Sequence, residues 1–164
     1  MTRNLLFSIV LSSLISGCGT LAPTPPVVPG PVALPPAPAR AEAVLQALLA
    51  LGIDYQYGGA SPVTGFDCSG LVAHVYREAW GMRVPRTTSG LSEAGITVSL
   101  AELQAGDLLF YDTLDRPYSH VGIYLGDGRF VHAPKSGARV RVESLHSRYW
   151  SQRFNGARRI EPSL

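Results

Sequence analysis

Phe66-Asp67-Cys68-Ser69-Gly70, continuing as Leu71-Val72-Ala73, joins a loop to an apolar helix. Leu71, Val72, Val75, Tyr76 and Ala79 recur at helical spacing and share one stripe. Pro62 and Gly65 punctuate the loop before them, and Gly81 follows Trp80 as a stop. The pattern predicts a helix from Cys68 to about Trp80, with Cys68 at its N-terminus. Unpaired amides and the helix dipole favour an anion there, so the position predicts a thiol that ionises readily. A thiolate is a nucleophile, and the same amides are placed to hold an oxyanion. The alternative is a small buried cysteine that packs as a hydrophobe. On this stretch alone both readings stand.

Upstream, the chain changes character twice. Arg3 and the apolar run Leu5 to Ile15 read as a signal segment too short for a comfortable membrane span. The run ends in Leu14-Ile15-Ser16-Gly17-Cys18, which resembles a bacterial lipobox. That resemblance implies cleavage before Cys18, a lipid on Cys18, and, with Gly19 following, export to the outer membrane facing the periplasm. Residues 1–17 are then the lipoprotein signal, and 18–39 the lipidated cysteine with a Pro-rich linker. The linker's prolines (Pro23, Pro25, Pro26, Pro29, Pro31, Pro35, Pro36, Pro38) exclude helix and sheet. At about 3.1 Å per residue such a tether reaches on the order of 60 Å. With Cys18 lipidated, Cys68 has no disulfide partner and is a free thiol in an oxidising compartment.

The domain is expected over 40–164. Arg40 to Leu51 predicts a helix whose core face carries Val44, Leu45, Leu48 and Leu51. Ile53 to Gly59 reads as a short extended piece entering a tight turn, with Tyr55 either near Cys68 or a half-buried core aromatic. A loop at 84–89 caps a short helix near Ser89 to Ala94, and Leu108-Leu109-Phe110-Tyr111 reads as a buried strand.

The net charge of +2 over 164 residues gives no general affinity for nucleic acid. Between Lys135 and Arg159 seven basic residues face one acid, Glu143. This reads as a solvated face, with an acidic polymer or anionic lipid as the functional alternative.

His120 to Leu125, Gly126-Asp127-Gly128 and Arg129 to Ala133 read as a hairpin. A two-residue Asp127-Gly128 loop alone pairs His132 with Ile123 and puts His120 and His132 on opposite faces. A three-residue Gly126-Asp127-Gly128 loop, or a compensating bulge, pairs His132 with Gly122 and makes the histidines same-face neighbours. The latter register is expected. It assembles Cys68 as nucleophile, His120 as general base and His132 as the group that orients the base. His74 lies about 240° around the helix from Cys68 and cannot face the thiol. His146 falls in a polar, exposed segment. A zinc site from Cys68, His120 and His132 is the rival, but no close paired ligand spacing supports it.

Together, Tyr55-Gln56-Tyr57-Gly58-Gly59, Asp67-Cys68-Ser69-Gly70, Pro85-Arg86-Thr87, Gly106-Asp107-Leu108, His120 to Tyr124 and Phe130 to Ala133 resemble the NlpC family of bacterial cell-wall cysteine peptidases, especially its Spr-type outer-membrane lipoproteins. The resemblance implies a papain-like α+β fold, with helices on an antiparallel sheet and the nucleophile at a helix N-terminus. It implies hydrolysis of amide bonds in peptidoglycan stem peptides or crosslinks, without metal or cofactor. It carries the nucleophile to Cys68, the base to His120, the third polar position to His132 and an active-site tyrosine to Tyr55. Asp67 and Ser69 match the flanking motif, with Ser69 as a substrate contact; Arg86 is added as a partner for a substrate carboxylate. Two other classes remain: a catalytically silent lipoprotein that binds the wall, and a papain-like acyltransferase acting on lipid. An activated thiol is expected to alkylate below the ordinary thiol pKa, which separates the first from an enzyme.

Overall fold

The computed structural model describes residues 37–161. The signal segment, Cys18 and most of the linker lie outside them. In chain order the elements are helix α1 (Ala37–Leu49), strands β1 (Ala60–Ser61) and β2 (Gly65–Phe66), helices α2 (Cys68–Trp80) and α3 (Thr88–Glu93), and strand β3 (Ile96–Val98). Strands β4 (Leu108–Tyr111), β5 (His120–Gly126), β6 (Arg129–His132) and β7 (Arg141–Ser144), the turn of helix α4 (Arg148–Ser151) and strand β8 (Phe154–Arg159) complete the fold. Six strands form one antiparallel sheet in the order β3-β8-β4-β5-β6-β7, so the last strand inserts between the third and fourth.

The sheet separates two apolar clusters. On one face Leu108, Phe110, Val121, Ile123, Val131 and Ala133 pack with α1 and α2. On the other, Leu109, Tyr111, Phe130 and Ala157 pack with Trp150 of α4. Strand alternation produces this division: in β5, Val121 and Ile123 face the helices while His120 and Tyr124 face away.

Helix α2 forms as its sequence predicts. Asp67 caps it, its Oδ1 accepting from the Gly70 amide at 2.6 Å, and Gly81 closes it with φ 66°. Gly70 has to be glycine, because a Cβ there meets the carbonyl oxygen of Gly59. That close approach lays the Tyr55–Gly59 loop along the first turn of α2.

Helix α1 differs from its expectation in two ways. It begins at Ala37, inside the stretch assigned to the linker; Pro38 falls in the first turn, where a missing N–H has no helical partner. Its buried side is Ala43, Ala47 and Ala50, whereas Leu45, Leu48 and Leu51 are 40 to 49 % exposed. Small side chains let α1 and the sheet face approach closely, and the leucines turn outward. Five strands, β1, β2, β3, β7 and β8, had no expectation at all.

The hairpin reaches the expected register by the bulge. Asp127 and Gly128 both have positive φ (50° and 69°), as in a two-residue type I′ turn. Gly126 pairs with Arg129, then a bulge at Leu125 shifts the ladder so that Tyr124 pairs with Phe130 and Ile123 with Val131. His132 and His120 therefore share a face.

Candidate active site

Cys68 begins α2 and is partly buried. The backbone amides of Val121, Ser69 and Cys68 itself lie near its sulfur and favour the thiolate. Val121 follows His120, so the sulfur sits against the start of β5. His120 Nε2 and His132 Nδ1 are 2.8 Å apart. The rings are nearly perpendicular (88°), and both are buried. With His120 Nε2 committed to His132, His120 Nδ1 is the nitrogen left for a thiol proton. That assignment makes Nε2–H of His120 the donor and places the second proton of the pair on His132 Nε2. His132 Nε2 is buried with no hydrogen-bond partner among the described residues.

Trp150 holds both imidazoles. Its indole stacks on His120 (24° between planes, 5.7 Å between centroids) and stands perpendicular to His132 at 4.9 Å. Sequence reading missed this residue, because it lies in a run of charged and polar positions taken as surface. An aromatic pair, Tyr149-Trp150, inside that run is the signal that marks it.

Tyr55 is fixed by its backbone: its amide donates to Ala138 O at 2.9 Å, and it bridges to Phe66. Its phenol pKa is raised first by burial and then by the nearby Cys68. Asp67 and Ser69 are engaged inside the protein. Ser69 Oγ donates to Arg86 O at 2.7 Å and to Asp67 Oδ1 at 3.0 Å, and Ser69 is buried. Arg86 reaches Asp67 Oδ1 (3.4 Å) and the Gly58 and Gly59 carbonyls (3.3 and 3.4 Å). Asp67 and Arg86 hold the Gly58–Gly59 loop against α2, and Ser69 ties the Arg86 backbone to the same helix.

The electrostatics reverse one expectation. Burial, with the Asp67 carboxylate adding to it, pushes the Cys68 thiol up to about 11, and the three amides pull against this without winning. Burial also holds His120 down to about 4. Burial, helped by His120 and Arg141, holds His132 down to about 2. Burial thus disfavours the charged forms of both the thiol and the imidazole pair at rest. Alkylation of the resting thiol is accordingly expected to climb with pH toward 11, not to begin below the ordinary thiol pKa.

Two imidazoles buried as neutral bases also make stability depend on pH. Their folded pKa values lie below the ordinary 6.5, so the unfolded chain takes up protons first as pH falls. Their contribution is complete above pH 6.5 and is lost below it, by up to about 1.4 kcal/mol per pH unit for each ring. The urea midpoint is expected to fall between pH 6.5 and 5. A flat midpoint over that interval would mean the rings are solvated.

The basic excess near the C-terminus is largely consumed within the fold. Arg159 pairs with Asp107, Arg139 with Asp54 and Arg141 with Glu143, while Arg158 donates to Ser92 O.

The NlpC/P60 family model matches residues 52–159, and the chain belongs to that family. It is 40 % identical over 113 residues to murein DD-endopeptidase MepH of Escherichia coli, covering 67 % of this chain and 42 % of that protein. It is 36 % identical over 131 residues to the gamma-DL-glutamyl hydrolase of Bacillus subtilis, covering 79 % of this chain and 32 % of that one. A crystal structure of an NlpC/P60 family protein from Bacillus cereus superposes with a TM-score of 0.70 at 32 % identity, covering 76 % of this chain and 41 % of that one. The chain thus spans less than half the length of these relatives.

Proposed function

We propose that this protein is a cysteine peptidase that hydrolyses amide bonds in peptidoglycan stem peptides or crosslinks. The observation that carries the reading is the 2.8 Å His120–His132 pair at the strand start that meets Cys68. The names of two relatives, a murein DD-endopeptidase and a gamma-DL-glutamyl hydrolase, support the substrate class and leave the bond open between them.

In the proposed reaction the Cys68 sulfur attacks the scissile carbonyl carbon while its proton passes to His120 Nδ1. The Cys68 amide, with the Tyr55 hydroxyl, receives the oxyanion. His120 then protonates the leaving nitrogen, the C–N bond breaks and a thioester remains. Water, deprotonated by His120, attacks the thioester; the acid departs and the thiol regains its proton. His132 positions His120 and shares the imidazolium charge. No step requires a metal or cofactor. A lipid on Cys18 is proposed to anchor the domain to the periplasmic face of the outer membrane; a Cys18→Ser chain released from membranes would support it.

The high thiol pKa favours a second reading, a wall-binding protein without turnover. Digestion of purified sacculi separates the two. New muropeptides by mass from the native chain, absent with Cys68→Ala, are the expected result and name the bond. Equal release by both proteins would overturn the proposal.

A further inference from the structure

Tyr55 lines one cleft and His120 another, and the two share no wall. Cys68 is close to a residue of each: it helps to raise the Tyr55 phenol pKa, and its sulfur lies by the amide after His120. The cleft walled by His120 has a volume of about 420 Å³. Leu114, Tyr149 and Trp150 supply apolar wall, and Lys135, Arg141 and Glu143 supply charge.

The imidazole gives the cleft a direction. A general acid must lie within hydrogen-bond reach of the nitrogen it protonates. The residue that departs as an amine therefore rests against His120, while the acyl half stays on the sulfur. On the peptidase reading above, we infer that the His120 cleft binds the leaving half of the substrate and selects a leaving residue with a free carboxylate beside the released amine.

The charge of the cleft carries this. Arg141 lies opposite His132 in the β6–β7 ladder, on the wall nearest the imidazoles. Glu143 Oε1 accepts from its Nε at 2.8 Å, which orients the guanidinium and leaves its terminal nitrogens without a partner among the described residues. Lys135 adds a second cation with no carboxylate of its own among those residues. Two cations against one carboxylate leave a surplus of one positive charge, and a guanidinium edge matches a carboxylate in two parallel hydrogen bonds. An amide in place of that carboxylate presents no charge and leaves the cations unanswered.

The test uses the full chain and two short synthetic peptides with the same acyl half. They differ only in the leaving residue, which carries a free α-carboxylate in one and a carboxamide in the other. The native chain is expected to prefer the carboxylate by at least about tenfold in kcat/KM, a preference that shrinks as salt is raised. Arg141→Gln and Lys135→Met are each expected to lower that ratio, and Lys135→Glu to bring it lowest. Equal cleavage of both peptides, or variants that slow both in proportion, would overturn the inference and leave the peptidase reading intact. No Cys68-dependent cleavage of either peptide would overturn both.

Discussion

Replacing His120 with alanine is expected to lower kcat/KM by about 10⁴-fold near pH 7, with Cys68 still in place. The size follows from the resting thiol. With its pKa at about 11, roughly one molecule in 10⁴ holds a thiolate near neutrality. His120 removes that dependence by taking the proton during attack, and burial keeps it neutral and able to do so down to about pH 4. Without it, hydroxide has to supply the thiolate. The rate of His120→Ala is therefore expected to climb about tenfold per pH unit toward pH 11, while the native profile is much flatter over that range. His132→Gln leaves the base present but frees its tautomer, so a smaller loss is expected. The measurement is kcat/KM on a soluble muropeptide between pH 6 and 10. A loss below tenfold in His120→Ala would mean that another group accepts the proton.

Asp107→Ala is expected to destabilise the fold by about 3 to 5 kcal/mol. Asp107 is fully buried and accepts from Arg159 Nε and Nη2 at 2.8 and 2.7 Å. It also accepts from the Gln104 amide at 2.8 Å and, more distantly, from Arg40 Nη1 at 3.5 Å. Deleting the carboxylate leaves the Arg159 guanidinium, whose side chain is only 13 % exposed, without its carboxylate partner, while Arg40 keeps Glu161. Against a typical total of about 5 to 15 kcal/mol, this removes much of the margin. Asp107→Asn keeps the shape and one acceptor oxygen and should lose less. The readout is the urea midpoint at pH 7; a shift equivalent to less than about 1 kcal/mol would show that water replaces the carboxylate at no great penalty.

Elements with a local signature were legible in the sequence. The stripe Leu71, Val72, Val75 and Tyr76 is the buried side of α2, and Asp67 and Gly81 bound it as caps. The pairing of His120 with His132 followed from one register argument, since a single-residue slip would have reversed a face. What stayed hidden depends on partners distant in sequence. Phe154-Asn155-Gly156-Ala157-Arg158-Arg159 has no apolar alternation; it becomes β8 because β3 and β4 leave a place between them and its arginines find Asp107 and Ser92. In α1 the alanine and leucine sides are both apolar, so periodicity could not tell which packs inward; only the close approach of a neighbouring surface decides. The thiol followed the same logic. A helix N-terminus lowers its pKa in isolation, but burial is a tertiary fact, and with the adjacent Asp67 carboxylate it wins.

The Asp107 cluster has a consequence for how this domain can be handled. Arg40, which touches Asp107 through one nitrogen, reaches Glu161 through another at 2.7 Å. The first helix and the segment just after the last strand thus meet, and the domain begins and ends at one pole. A few glycines joining the two ends, with new ends opened in the exposed 114–117 loop, should yield a circular permutant that keeps the same sheet order. The same geometry makes the domain a module suited to insertion in a host loop, since its two ends lie within reach of one side-chain ion pair.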